Sequence, residues 1–156
     1  MRIFVHLLLL LTLTSFSFAA DKARSHQEDA IRETVFRHQF GHNASGQQER
    51  ANSYFLAIGE SDANPSGELM KRFVRHKPPV RKVSECSTVK ARVVDKKTGK
   101  SGLIFRVRSI KWISDLEVEV KGGYSEHLLS ASGNTYTLTK KDGKWQVTKD
   151  GMDWIS

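Results

Sequence analysis

An α+β fold, with a long N-terminal helix and a short second helix on a curved antiparallel sheet of five or six strands, is predicted by three observations. Apolar residues recur at helical spacing between Gln27 and Asn43. After Val80 the pattern changes to strand-like alternation, and Gly and Asp-Gly steps punctuate it at the spacing of short hairpins.

The chain opens with Arg2, a largely apolar run from Ile3 to Leu13 and the small-residue sequence Ser17-Phe18-Ala19-Ala20, the pattern of a secretory signal peptide with a cut after Ala19. The run is shorter than the roughly 20 residues needed to span a bilayer, so no transmembrane segment is expected in the mature chain. Residues 1–19 are therefore read as the signal and 20–156 as one domain, secreted or periplasmic. Residues 20–26 are polar and read as a loose tail.

Helix 1 is placed at Gln27–Asn43, with Ser25 as its cap and Glu28 three residues on. Ile31, Val35, His38 and His42 fall on one stripe and Phe36 and Phe40 on another about 140° away, so the helix reads as apolar on two sides. Gly46 follows as a breaker. Asn52–Gly59 reads as a buried strand. Pro65 suits the first turn of a second helix over Ser66–His76, with Leu69, Phe73 and either Met70 or Val74 turned to the core, and Pro78-Pro79 ends it.

Strands are expected at Val80–Cys86 and Thr88–Val94, a hairpin tip at 95–102, and a long strand over Leu103–Ile113. Leu116, Val118 and Val120 alternate with Glu117, Glu119 and Lys121, which places the glutamates on the solvent side. Gly122-Gly123 marks a bulge or bend. Asn134–Lys140 and Trp145–Lys149 flank Asp142-Gly143, a two-residue hairpin signal.

This order of elements resembles the nuclear transport factor 2-like superfamily, cone-shaped relatives of the cystatin-like roll, which often place a pocket between the first helix and the sheet. The segments HNASG (42–46), HKPP (76–79), IKWIS (110–114), LSASGNTY (129–136) and the run KW to MDWIS (144–156) resemble small exported bacterial proteins of unassigned function. The superfamily resemblance implies a pocket in which His42 or His38 meets a ligand or acts as a general base; separately, Tyr54, Trp112 and Tyr124 are read as pocket-lining candidates, with core packing as the alternative for the aromatic residues of the sheet.

The chain has 25 Lys and Arg against 17 Asp and Glu, a net charge of +8, which attracts anions. Outside the cytoplasm those are lipid head groups or wall polymers rather than nucleic acid. Lys71, Arg72, Arg75, Lys77, Arg81 and Lys82 crowd the second helix and its exit as a patch for an anionic surface or as a solvated face. Cys86 is the lone cysteine, so an intrachain disulfide is excluded and the residue is either a buried small hydrophobe or a reactive thiol.

His38 and His42 are four apart, the spacing of two helical metal ligands, but no third ligand or HExxH accompanies them, and neither a metal nor a cofactor is expected. With no catalytic motif on the chain, the expected function is that of an exported binding or accessory module for a small ligand or a partner protein. The alternatives are a pocket enzyme of the isomerase, dehydratase or hydrolase kind using a helix-1 histidine, and an inhibitor or immunity factor. Oligomeric state is left open.

Overall fold

The computed structural model describes residues 4–127 and 130–156. Met1–Ile3 of the expected signal segment and Leu129 of the LSASGNTY segment lie outside them. The architecture is α+β, a long helix on a large curved mixed sheet. Helix α1 (Phe4–Gly41) is followed by β1 (Ser53–Ile58), the short α2 (Gly67–Lys71), β2 (Val80–Lys82), β3 (Cys86–Val89) and β4 (Arg92–Asp95). Four long strands complete the chain: β5 (Gly102–Ser114), β6 (Glu117–His127), β7 (Ser130–Lys141) and β8 (Lys144–Ile155).

The sheet runs β2-β1-β5-β6-β4-β3, and β7 and β8 extend it from β6. It is mixed rather than antiparallel, because β1 pairs in parallel with both β2 and β5. The β1–β2 connection carries α2, and a connection that long returns the chain for a parallel pairing that a two-residue turn cannot make. From β5 to β8 the strands form an antiparallel meander.

Helix α1 departs from expectation at both ends. Ser25 lies inside it, because residues 20–26 contain no Gly or Pro and Arg24 reaches Glu28 one turn on, 3.8 Å away. It ends at Gly41, where the Asn43 side chain takes over: Nδ2 donates to the Gln39 carbonyl at 2.7 Å, and Oδ1 accepts from Ser45 N at 2.8 Å. The two apolar stripes are the edges of a single buried face. Gln39, 1% exposed, lies between them, and Ile31, Val35, Phe36 and Phe40 are buried around it. They pack on Leu103, Phe105 and Val107 of β5, Val118 and Val120 of β6, and Tyr136 and Leu138 of β7.

Helix α2 is shorter than expected. Ser66 is its cap, with Oγ accepting from Leu69 N at 3.0 Å and donating to Asp29 Oδ2 at 2.9 Å, so α2 is tied to α1. Pro65 precedes the cap. Leu69 and Phe73 are buried, Met70 is half-buried and Val74 is exposed. The expected strand Val80–Cys86 is broken by a 3-10 turn at Val83–Glu85, where Lys82 N donates to Glu85 Oε1 at 3.1 Å. Lys90 and Ala91, both at positive φ, then separate β3 from β4.

The glycines at 122–123 face a bulge whose extra residue, Arg108, lies on β5. Asp142 and Gly143 have φ of 50° and 76°, the mirror-image turn that matches strand twist. Val118 and Val120 are buried while Glu117 and Glu119 lie on the outer face. A second, small core of Phe55, Ala57, Val93 and Ile104 is flanked by half-buried Cys86. No helix of the described residues is long and apolar enough to cross a membrane.

Candidate functional site

Beyond the last turn of α1 lies an open groove of about 390 Å³, walled by His42, Asn43 and Ala44 on one side and by Ser132, Asn134, Asp150 and Met152 on the other. Strand register assembles the second wall. Asn134 pairs with Met152 and Tyr136 with Asp150 across β7 and β8, so residues 18 and 14 apart in the chain become neighbours.

The groups in this wall are held by one another. His38 Nε2 meets Asp150 Oδ2 at 2.8 Å, and Asn134 Nδ2 donates to Asp150 Oδ1 at 2.9 Å. Ser132 Oγ in turn donates to Asn134 Oδ1 at 2.9 Å. The ring of His38 stacks on His42, with centroids 4.5 Å apart and planes 5° from parallel, and its edge meets Tyr136. Burial pushes the Tyr136 phenol far above its usual range; the hydrogen bond from Gln39 Nε2, at 3.3 Å, pulls the other way without overcoming it. Gln39 Nε2 also donates to the Arg106 carbonyl at 3.0 Å, so this residue joins α1 to both β5 and β7.

The two histidines have different states available to them. His42 Nδ1 lies 3.2 Å from the His38 carbonyl. A carbonyl oxygen only accepts, so Nδ1 carries the hydrogen and the neutral ring keeps its lone pair on Nε2. His38 directs Nε2 at a carboxylate and serves to fasten α1 to β8. His42 is exposed, and it is the one of the pair that borders the groove.

The other expected pocket residues do not converge on this place. Tyr54 is buried in an aromatic cluster with Phe40, Phe105 and His76, where burial raises its phenol despite a hydrogen bond with Gln48. Tyr124 is buried on β6, its phenol raised by burial and then by the Glu126 charge. Trp112 lies at the other end of the helix face, under the Arg24 guanidinium at 5.6 Å and edge-on to Trp145 at 5.7 Å. It borders a separate depression of about 500 Å³ with Ala23, Arg24, Gln27 and Asp115. His42 and Trp112 thus border two separate depressions, and Tyr54 and Tyr124 line neither of them.

Half of the basic patch is neutralised. Lys71 pairs with Glu68 at 2.7 Å, Arg72 with Glu33 at 3.0 Å, and Arg81 with Asp95 at 3.0 Å. Those acids come from α1, α2 and β4, so only folding brings most of them to the cluster. Arg75, Lys77 and Lys82 keep no ion pair among the described residues.

Sequence reasoning missed Gln39, Ser132, Asn134 and Asp150. Gln39 was legible in principle, since it falls midway between the two apolar stripes of helix 1. The other three depend on the pairing of β7 with β8. No group of three or more His, Cys, Asp or Glu side chains gathers at metal-binding distance among the described residues. Compared with family models, curated proteins and solved structures, this chain finds no match.

Proposed function

We propose that this chain is an exported, basic binding module whose groove beyond α1 takes a small polar ligand, rich in hydroxyl or amide groups as wall fragments are. The observation that carries this reading is preorganisation. Asp150 is held by His38 and Asn134, Asn134 by Ser132, and Asn43 by Gln39 and Gln48, before any ligand arrives. Side chains fixed in advance lose little freedom on binding, and their carboxylate and amide oxygens keep lone pairs for ligand donors. The NTF2-like cone is the architecture we propose with it, supported by the enclosure of one face of α1 by the strands β5 to β7. Export rests on the signal-peptide pattern of residues 1–19.

A thermal-shift series on the mature chain tests the binding reading, with N-acetylglucosamine oligomers and D-alanyl-D-alanine as probes. A ligand at 100 times its Kd stabilises by about 2.7 kcal/mol, a shift of several degrees. That shift is expected to vanish in His42→Ala and Asn134→Ala. No shift with any probe counts against the reading, and an intact mass still containing residues 1–19 counts against export. The free Nε2 of His42 favours a second reading, a general base in the same groove; turnover lost in His42→Ala with binding retained would select it.

A further inference from the structure

We propose a second site: the cavity between the 47–51 segment and the start of β4 and β5 binds a small oxyanion, a carboxylate or phosphate group, through Arg50 and Arg92. The cavity holds about 290 Å³ and is lined by these two arginines together with Val93, Ser101, Gly102 and Glu126. Every arginine whose side chain is described lies within 4 Å of an Asp or Glu carboxylate except Arg50, Arg75 and Arg92. Two of these three exceptions line the same cavity.

The walls are built independently of any ligand. Glu126 anchors the loop by accepting from Ser45 Oγ, from Gln47 N at 3.2 Å and from Ser130 Oγ at 2.5 Å. Asn52 N donates to the Ser101 carbonyl at 2.8 Å, and Ser101 Oγ donates to the Arg50 carbonyl at 3.3 Å. Arg92 opens β4 and pairs through its backbone with His127 of β6. Arg50 and Arg92 therefore line one cavity on a fixed frame, and the carboxylate that lines it with them, Glu126, accepts from Ser45, Gln47 and Ser130.

Guanidinium forks match the geometry of carboxylate and phosphate oxygens. A volume near the low end of small-molecule sites, which run from about 300 to 1,000 Å³, suits a small molecule rather than a polymer. The site shares no lining residue with the groove beside His42.

Isothermal titration of the mature chain with inorganic phosphate and, separately, with succinate tests the proposal, at constant ionic strength set with sodium chloride. At least one of the two is expected to bind, and which one names the source of the oxyanion. Arg50→Gln and Arg92→Gln should each weaken binding at least tenfold. Replacing both arginines by lysine, which keeps the charge but loses the fork, should weaken it less than the double glutamine variant does. Arg75→Gln, an unpaired arginine outside the cavity, and His42→Ala should bind as the parent does. The proposal is overturned if neither anion binds, or if a folded Arg50→Gln/Arg92→Gln double variant binds as tightly as the parent.

Discussion

Replacing Gly122 by alanine should destabilise this fold through overpacking alone. Gly122 sits on β6 beneath Gln39, and its φ lies outside the left-handed region, so contact alone decides the outcome. An added Cβ would stand 2.4 Å from the Arg106 carbonyl oxygen and 2.9 Å from Gln39 Nε2. The first distance is about 1 Å inside ordinary contact, and the atom is main chain of the neighbouring strand, which cannot swing away. Overpacking of this kind costs about 1–3 kcal/mol, and the smaller entropy of an unfolded alanine returns about 0.5–1 kcal/mol. Because the second contact is the amide that joins α1 to β5 and β7, the upper part of the range is expected, about 2 kcal/mol net, or a fall in Tm of about 4–8 °C. Gly133→Ala is the matched control. Its Cβ would meet the Trp154 indole at 2.2 Å, but that ring is half exposed and can rotate outward, so the cost stays below about 1 kcal/mol. Urea unfolding and calorimetry of both variants measure the difference. A Gly122→Ala protein within about 0.5 kcal/mol of the parent, or less perturbed than Gly133→Ala, would refute the reasoning.

Two further outcomes follow from buried ionisable groups. Burial pushes the Cys86 thiol up, and the nearby Lys96 and Arg106 charges offset this only in part, so iodoacetamide at pH 8 should label the native protein several-fold more slowly than it labels the urea-unfolded chain; equal rates would contradict this placement. Asp95, 1% exposed, is raised by burial, but the Thr98 and Lys97 amides and the Arg81 charge outweigh that and hold its carboxyl below the usual range. A depressed folded pKa contributes stability above the unfolded value, near pH 4, and that contribution is lost as pH falls through the folded value. Asp95→Asn should therefore flatten the acid limb of the stability curve below about pH 4 and leave its slope at neutral pH unchanged, as measured by urea midpoints across that range.

Much of the fold could be read from local patterns, and the failures share a cause. The Asp142-Gly143 turn, the alternation of Val118 and Val120 and the burial of Leu69 and Phe73 depend on spacing within a few residues, and each is where the pattern places it. The pairing of β1 with β2 and β5 in parallel is a non-local choice, because the β1 sequence is equally compatible with either partner direction. The ion pairs of the basic cluster show the same limit: its charge is visible along the chain, whereas Glu33 and Asp95 reach it only across the fold. At the candidate site, His42 and the i,i+4 relation to His38 were legible from helical spacing. The second wall was not, since Asn134 and Asp150 meet only through the register of β7 on β8.

By itself the sequence determined the α+β class, the helical character of the 27–41 segment, the antiparallel run of strands toward the C-terminus and the excess of positive charge. These follow from periodicity, turn chemistry and composition, which act over one or two turns of helix or a single hairpin. Tertiary structure alone decided that α1 buries one face centred on Gln39, that His38 is spent on Asp150 while His42 stays open, and that Arg50 and Arg92, in no ion pair among the described residues, line one cavity. Long-range strand register and packing set which charges and hydrogen-bonding groups meet, and those meetings carry no signature in the local order of residues.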